Sequence, residues 1–377
     1  MFIYPSSKAP LPLHLSSLKI YKFRNLADQT VDLGTGPVYI SGLNGNGKTN
    51  LVEAIYLLSG SRSFRTNSSS ELLKWGEKEC SIFGEVTTSH GTEELGLVFT
   101  PGERKALSNG KDLESMTDLI GRLRVIAFSP ADLSLVKGSP AGRRRFLDRH
   151  MVDLNPPFIK VLMGYQRALA SKGAVLKQSG CTYAHLKPWN ELLASSCGKI
   201  VDNRVKFLES LSDKSSAFHR LYAPTDGELK LTLESDFFQD GRVLSEEEIL
   251  ARFENAAPRE MAMRSATLGA QRDDVSVTLG GVDARAYASQ GQTRSVVLSM
   301  KLGVIEMIES ATGESPVVIL DDVDSELDKA RSERLFSALL HKPRQIIVTG
   351  TEGPSPQLIH SPNLRMLTVS QGVVSAQ

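Results

Sequence analysis

The sequence predicts an α/β head assembled from two separated lobes of the chain, with a short helical arm inserted between them. Three observations carry this. A Gly-rich run, Gly42-Leu43-Asn44-Gly45-Asn46-Gly47-Lys48-Thr49, lies between a strand-like and a helix-like segment. A four-residue apolar run, Val317–Leu320, ends in Asp321-Asp322, 273 positions beyond Lys48. Past Arg149 the intervening chain changes to helical spacing. The expected divisions are 1–14, an N-terminal extension; 15–150, the first head lobe; 151–265, the arm; and 266–377, the second head lobe.

Composition bounds the alternatives. The 377 residues are 41% hydrophobic and 23% charged, values of ordinary globular proteins. Disordered, collagen-like and membrane chains are excluded on that basis. Net charge is +1, from 44 Lys and Arg against 43 Asp and Glu, so any nucleic-acid site has to be a local patch. Cys80, Cys181 and Cys197 show neither CxxC nor Cys/His ligand spacing and are expected as reduced thiols. Met1–Leu18 lacks the pattern of a secretory leader, and Val317–Leu320 is far too short to span a bilayer. A cytoplasmic location is the expectation.

In chain order, Met1–Leu13 holds three prolines and reads as a loose extension. From Leu15 to Ser41 the apolar residues come in short strand-like groups: Leu18, Ile20, Phe23, then Val38-Tyr39-Ile40. Leu51, Val52, Ile55 and Leu58 recur at helical spacing, predicting a helix over Thr49–Ser59. Strands follow at Cys80–Thr87, Glu94–Thr100 and Val125–Phe128, with Asn109-Gly110 a hairpin-turn signal. A helix opens at Pro156-Pro157 and closes at Gly180; a longer one, starting near Pro188, pairs with it as an antiparallel hairpin. Glu228–Phe238 reads as strand, and Ser245–Asn255 as an acidic helix capped by Ser245. The α/β rhythm then resumes: strand Val275–Leu279, helix Thr293–Glu309, strand Val317–Leu320, helix Lys329–Leu340, strand Gln345–Val348.

The chemistry lies in the punctuation between these elements. Residues Gly42–Thr49 fit GxxxxGK[ST], with Asn50 next in line. Glycines let backbone N–H groups close around a β-phosphate at a helix N-terminus. Lys48 is placed to reach β- and γ-phosphate oxygens, and the Thr49 hydroxyl to bind Mg²⁺. Val317–Leu320 followed by two acids is a Walker B pattern: Asp321 would hold Mg²⁺, and Asp322 sits where a water-positioning carboxylate belongs. Ser289-Gln290-Gly291-Gln292 opens a helix just upstream of that strand. By itself it reads as an ordinary helix cap. In this order it matches the ABC-type ATPase signature, in which Ser289 and Gly291 would touch the γ-phosphate held by a second subunit. Ser325-Glu326-Leu327-Asp328 matches the D-loop, with Asp328 also a candidate N-cap.

These residues resemble the RecF family of SMC-like ATPases. The resemblance extends through Leu18–Asn25, Gly47–Ala54, Ser61–Thr66, Phe128–Leu133 and Gly138–Asp148, and covers Leu15 to Thr351. Departures are Gln271 where the family usually has histidine in Gly269–Asp274, Asp132 near where transporter ATPases carry the Q-loop glutamine, and Thr349 at the switch position in place of histidine. Asp322 stands for the usual catalytic glutamate, as in relatives, so slow hydrolysis is expected. The resemblance implies an ATP-dependent homodimer, each nucleotide capped by the partner's signature loop. It further implies binding to double-stranded DNA and single-strand/duplex junctions, action with RecR and RecO in RecA loading at gaps, and a DNA-stimulated ATPase cycle.

Local charge supports a DNA contact without the analogy. Pro156–Tyr222 carries ten basic against four acidic residues, whereas Glu234–Glu254 carries seven acids against two arginines. Lys137, Arg143, Arg144, Arg145 and Arg149 cluster with one acid, Asp148. Such a basic arm suits nonspecific phosphate contact, dependent on salt; the alternative is a solvated face, with part of Arg143–Arg145 bracing the head–arm junction. Competing readings are a transporter ATPase subunit, a small-molecule kinase and a scaffold that binds ATP without turnover. The long insertion and missing Q-loop glutamine weigh against the first, and the Ser289 loop against the second.

Overall fold

The computed structural model describes residues 11–66, 68–322, 329–351 and 353–377. The chain divides into two compact units, Met1–Asp132 with Ile305–Gln377, and Leu133–Val304. Those divisions fall at 132 and 304, away from the expected 150 and 265. The reason is packing: Arg143 joins helix Pro140–Leu154 to strand Asp274–Leu279, and Arg204 of the arm reaches Asp148 in that helix and Asp273 just before that strand.

The first unit holds two six-stranded sheets. One has the order Val373–Ala376, Arg365–Ser370, Val38–Ser41, Ile346–Gly350, Val317–Leu320, Val125–Phe128, all parallel except the antiparallel edge Val373–Ala376. Its central strands are buried along their whole length, as a covered parallel sheet requires. The other is antiparallel, ordered Gln29–Asp32, His14–Tyr21, Cys80–Thr88, Gly91–Thr100, Glu103–Ser108, Lys111–Asp112. Asn109 and Gly110 turn its last hairpin with φ of 49° and 74°, the left-handed pair that a tight two-residue turn needs. Helix Lys48–Leu58 joins the two sheets in one core. Its Leu51, Val52, Ile55 and Leu58 pack with Leu18, Ile20 and Ile82 of the antiparallel sheet and with Val38, Ile319 and Ile347 of the parallel one.

The expected loose extension is ordered at its end. Leu11–Pro12 pairs in parallel with Glu314–Ser315, and Leu13 is fully buried. Proline density does not prevent pairing of two residues at an edge, where no continuous ladder of N–H donors is required. The last hairpin, Arg365–Ser370 with Val373–Ala376, was not anticipated.

The second unit is built on the antiparallel helices Ile159–Leu176 and Tyr183–Tyr222. The longer has 40 residues, about 60 Å at ~1.5 Å per residue. It begins at Tyr183 rather than near Pro188, because Thr182 and His185 form a capping box and Leu186 is fully buried. Pro188 removes one helix hydrogen bond, and these contacts offset it. Helix Glu246–Met263 is capped by Ser245 and Glu248 reciprocally, and runs past the expected Asn255 with Pro258 inside it. It is secured to the arm by Lys172–Glu260, a 2.7 Å ion pair with both side chains fully buried, the ammonium lying 4.7 Å over the Phe253 ring.

Two consecutive acids organise this unit. Asp274 takes a bidentate contact from Arg143 at 2.6 and 2.9 Å, and Asp273 accepts a single hydrogen bond from Arg204 at 2.7 Å. Arg204 also reaches Asp148 at 2.8 Å and the Ala270 carbonyl at 2.6 Å. Arg144 donates to the Asp273 carbonyl, while Arg145 is exposed. Thus the bracing role expected for part of Arg143–Arg145 falls to Arg143 and Arg144. Within the arm, Lys160, Lys177, Lys187 and Lys199 are exposed, whereas Lys172 and Arg204 are consumed internally.

All three cysteines are free thiols. No helix among the described residues is long and apolar enough to cross a membrane.

Arg204 is only 3% exposed, so removing its charge takes the ion-pair partner from the buried Asp273 and from the partly exposed Asp148. Arg204→Met is expected to destabilise the protein by about 3–5 kcal/mol. The midpoint of chemical denaturation checks this, and a midpoint equal to wild type would refute it.

Candidate nucleotide site

In a parallel sheet the carboxyl ends of the strands share one edge, and loops leaving them converge. Registry puts Ser41 opposite Gly350, and Leu320 opposite both Val348 and Phe128. The residues that follow Ser41 and Leu320, together with Thr349, therefore meet at that edge.

The Gly42–Thr49 loop is folded over the start of helix Lys48–Leu58. Gly47 is the N-cap residue, with φ 114° and no side chain, so the first helical N–H groups have no side-chain cap. A Cβ on Gly47 would lie 2.8 Å from Leu26 Cδ2, and one on Gly42 would lie 2.4 Å from the Val369 carbonyl oxygen. The crest Leu43-Asn44-Gly45 is exposed, while Lys48 is buried. Lys48 Nζ donates to the Gly42 carbonyl at 2.6 Å and to Asn44 Oδ1 at 3.4 Å. The ammonium is thereby held across the loop mouth, where phosphate oxygens can replace those acceptors.

Residues distant in sequence brace the loop. Asn25 Nδ2 donates to the Gly45 carbonyl at 3.1 Å, and Asn50 donates to Asn25 Oδ1 at 2.6 Å. Asn46 donates to the Val369 carbonyl at 3.2 Å and accepts from the Gly372 N–H at 3.0 Å. The C-terminal hairpin is thus part of the site, a role the sequence reading missed. Its signal was present: Gln371-Gly372 lies between Leu367, Val369 and Val373-Val374, an alternation broken by a turn residue. Deeper in the helix, Glu53 is fully buried and held by Arg24 at 2.9 and 3.0 Å and by Ser63. Arg65 donates to Asn50 and lies 3.7 Å from Glu53.

Asp321 and Asp322 stand beside this loop. Asp321 is 4% exposed, and its Oδ1 accepts from Thr49 Oγ1 at 3.3 Å and from Thr349 Oγ1 at 2.8 Å. Asp322 turns sharply with φ 57°, and its N–H donates to Thr349 Oγ1 at 3.0 Å. Burial raises the Asp321 carboxyl above its ordinary range, and the neighbouring Asp322 charge adds to this against the two threonine hydroxyls and Arg65. Additional positive charge is what would relieve a buried acid pair of this kind. The donor set fits a hard cation: a hydroxyl and a carboxylate oxygen 3.3 Å apart come close to the ~3 Å edge of an octahedron with 2.0–2.1 Å bonds. Thr49 donates its proton to Asp321, which leaves its lone pairs available for that ion.

The Ser289–Gln292 segment belongs to the second unit. Ser289 Oγ accepts from the Gln292 N–H at 3.2 Å, and the Ser289 N–H donates to Gln292 Oε1 at 2.9 Å. This capping box makes Ser289 the N-cap of helix Gln290–Thr312. Ser289 and Gln290 are exposed, and Gly291 and Gln292 partly so. The loop is anchored from behind: Lys137 donates to the Arg285 and Ala288 carbonyls at 3.1 and 2.7 Å, and Arg285 contacts Asp274 at 3.2 Å. Gln271, in the family's histidine position, accepts from the Tyr165 hydroxyl and donates to the Leu268 carbonyl at 2.9 Å. Asp132 accepts from the Ser129 N–H at 2.6 Å. The expected D-loop, Ser325–Asp328, lies outside the described residues.

Gly47→Ala tests the loop. Its φ of 114° and its Leu26 contact both oppose a Cβ. Binding of a fluorescent ATP analogue is expected to weaken by at least about tenfold; unchanged affinity would contradict the loop assignment.

Comparisons with known proteins converge. Residues 14–373 match the model of the RecF/RecN/SMC N terminal domain. The chain is 33% identical over 373 residues to the DNA replication and repair protein RecF of Halothermothrix orenii, covering 96% of this chain and 99% of that one. It is 34% identical over 347 residues to that of Myxococcus xanthus, covering 90% and 91%. Among solved structures, the recombination mediator protein RecF-ATP in the RecFOR pathway superposes with a TM-score of 0.90 at 28% identity, over 99% of this chain and 100% of that one. An Smc head bound to the C-winged helix domain of ScpA matches in fold, at TM-score 0.56 and 15% identity, over 97% of each chain.

Proposed function

Because the chain belongs to the RecF family, with the ABC-type ATPase head of SMC-like proteins, we propose that it is an ATP-gated DNA-binding protein of recombinational repair. It binds ATP with Mg²⁺ at the Gly42–Thr49 loop. Two copies close face to face, each nucleotide held between one copy's loop and the other's Ser289–Gln292. The dimer clamps duplex DNA and single-strand/duplex junctions, and with RecR and RecO supports RecA loading at gaps. Hydrolysis reopens it.

One observation carries this reading: the phosphate loop, Asp321, Asp322 and Thr349 meet at the carboxyl edge of adjacent parallel strands. Lys48 exchanges its Gly42 and Asn44 contacts for phosphate oxygens. Thr49 and Asp321 would hold Mg²⁺, which when bound would offset charge on the β- and γ-phosphates. Asp322 orients the attacking water and takes its proton. A carboxylate one methylene shorter than glutamate reaches less far, and turnover is correspondingly slow. In the second unit, the exposed Ser289 and Gln290 at a capped helix start present N–H groups to an anion.

DNA contact falls to exposed basic residues of the arm, including Lys160, Lys177, Lys187 and Lys199. With no base-reading pattern, binding is to backbone phosphates, weak in sequence preference and steeply dependent on salt.

Fluorescence anisotropy on a gapped duplex, with ATP, ADP or no nucleotide, tests the clamp. ATP should tighten wild-type binding, and Ser289→Arg should abolish that effect while retaining nucleotide binding by the intact phosphate loop. Equal DNA affinity in every nucleotide state would separate the two sites and favour the scaffold reading. Turnover tests the acid: Asp322→Asn is expected to lower kcat by about 10²-fold or more with ATP affinity retained. Undiminished hydrolysis would remove Asp322 from the chemistry.

A further inference from the structure

Thr349 follows the centre of the strand Ile346–Gly350, at the position where transporter ATPases carry a histidine. Its side chain is fully buried, and both hydrogen-bonding capacities of its hydroxyl are engaged. Oγ1 donates its one proton to Asp321 Oδ1 at 2.8 Å and accepts from the Asp322 N–H at 3.0 Å. One hydroxyl therefore touches both acids, gripping the first by its carboxylate and the second by its backbone.

We propose that Thr349 is the positioning residue for Asp321 and Asp322, orienting the first toward the cation and fixing the turn that aims the second. This rests on the nucleotide reading of the same site. Sheet registry creates the geometry. Val318 N–H bonds the Gln345 carbonyl, and Leu320 stands opposite Val348, so Thr349 comes alongside the 321–322 turn. On the other side, the Asp321 N–H is already bonded to the Phe128 carbonyl at 2.9 Å. The Asp322 backbone leaves the strand in the left-handed region, at φ 57°, where a non-glycine residue stays only if its surroundings hold it. The threonine hydroxyl contributes to that hold by accepting the Asp322 N–H at 3.0 Å.

The proton economy is consistent with cation binding. Thr49 and Thr349 both point their hydroxyl protons at Oδ1, so the carboxylate is held from two sides while the lone pairs of the Thr49 oxygen stay available to a cation. Threonine suits the task better than serine because β-branching restricts χ1 and keeps the hydroxyl aimed. A buried threonine cannot reach outward, and works through the two acids.

Thr349→Val keeps the branched shape and removes the hydroxyl; Thr349→Ser keeps the hydroxyl. Binding of a fluorescent ATP analogue is measured across Mg²⁺ concentrations and in EDTA, alongside kcat, KM and thermal melting. For Thr349→Val the expected result is a Mg²⁺ midpoint raised about tenfold and kcat lowered about 10- to 100-fold. KM for ATP and affinity in EDTA should stay within about twofold, because Lys48 and the loop N–H groups are untouched. Thr349→Ser should recover to within about threefold of wild type.

Three outcomes overturn the proposal. A Thr349→Val protein with wild-type kcat and Mg²⁺ midpoint needs no hydroxyl. Equal impairment of the Val and Ser variants assigns the effect to packing. Loss of nucleotide binding in EDTA together with a lowered melting temperature in Thr349→Val makes the residue structural. If the wild-type protein itself shows no Mg²⁺-dependent ATP binding, the nucleotide reading fails first and the proposal falls with it.

Discussion

A carboxylate buried at the end of an apolar strand is costly unless polar groups surround it, and Asp321 is such a group. Its oxygen takes two hydroxyl protons from two other segments, Thr49 after the phosphate loop and Thr349 near the carboxyl terminus. Neither donor is near Asp321 in sequence; parallel pairing of their strands brings them there. The same pairing places Asp322 and, through Val369 and Gly372, braces the loop that would cradle phosphate. Shifting one of these strands by a residue would turn its side chains to the other face and dismantle the site.

The second unit depends on a related device with opposite charge balance. Asp273 and Asp274 are adjacent, and alternation along extended backbone sends their side chains different ways. One captures Arg204 from the long arm helix and the other Arg143 from helix Pro140–Leu154. Arg285 extends this network to the segment before Ser289. Buried ion pairs contribute little net stability over apolar packing, but losing one partner is severe. Such pairs therefore specify arrangement: the arm, helix Pro140–Leu154 and the segment leading to Ser289 share a single set of carboxylates.

Charge on the arm divides accordingly. Pro156–Tyr222 is strongly basic by count, yet Lys172 and Arg204 serve the interior. The lysines that remain exposed are those that could meet phosphate under the proposed reading, where their contribution would be electrostatic and screened by salt. A protein with a net charge of +1 can thus hold a basic surface without announcing it in its composition.

Local physics was legible in the sequence. The Gly-rich loop between strand and helix, the apolar strand ending in acids, the Ser245 cap and the Asn109-Gly110 turn each depend on residues within a few positions, and the structure has each of these elements. Asp273 and Asp274 could be named but not given partners, because Arg204 and Arg143 lie 69 and 131 positions away. The ordered Leu11–Leu13 segment and the start of the arm helix before Pro188 were misjudged, since proline content argued locally against structure that long-range burial supports. Thr349 looked like a missing histidine. Only the parallel sheet, by setting three strand ends side by side, made its hydroxyl the link between two acids. Sequence by itself determined which chemistry is present; tertiary structure decided which groups meet, because hydrogen bonds and ion pairs form across space and carry no mark along the chain.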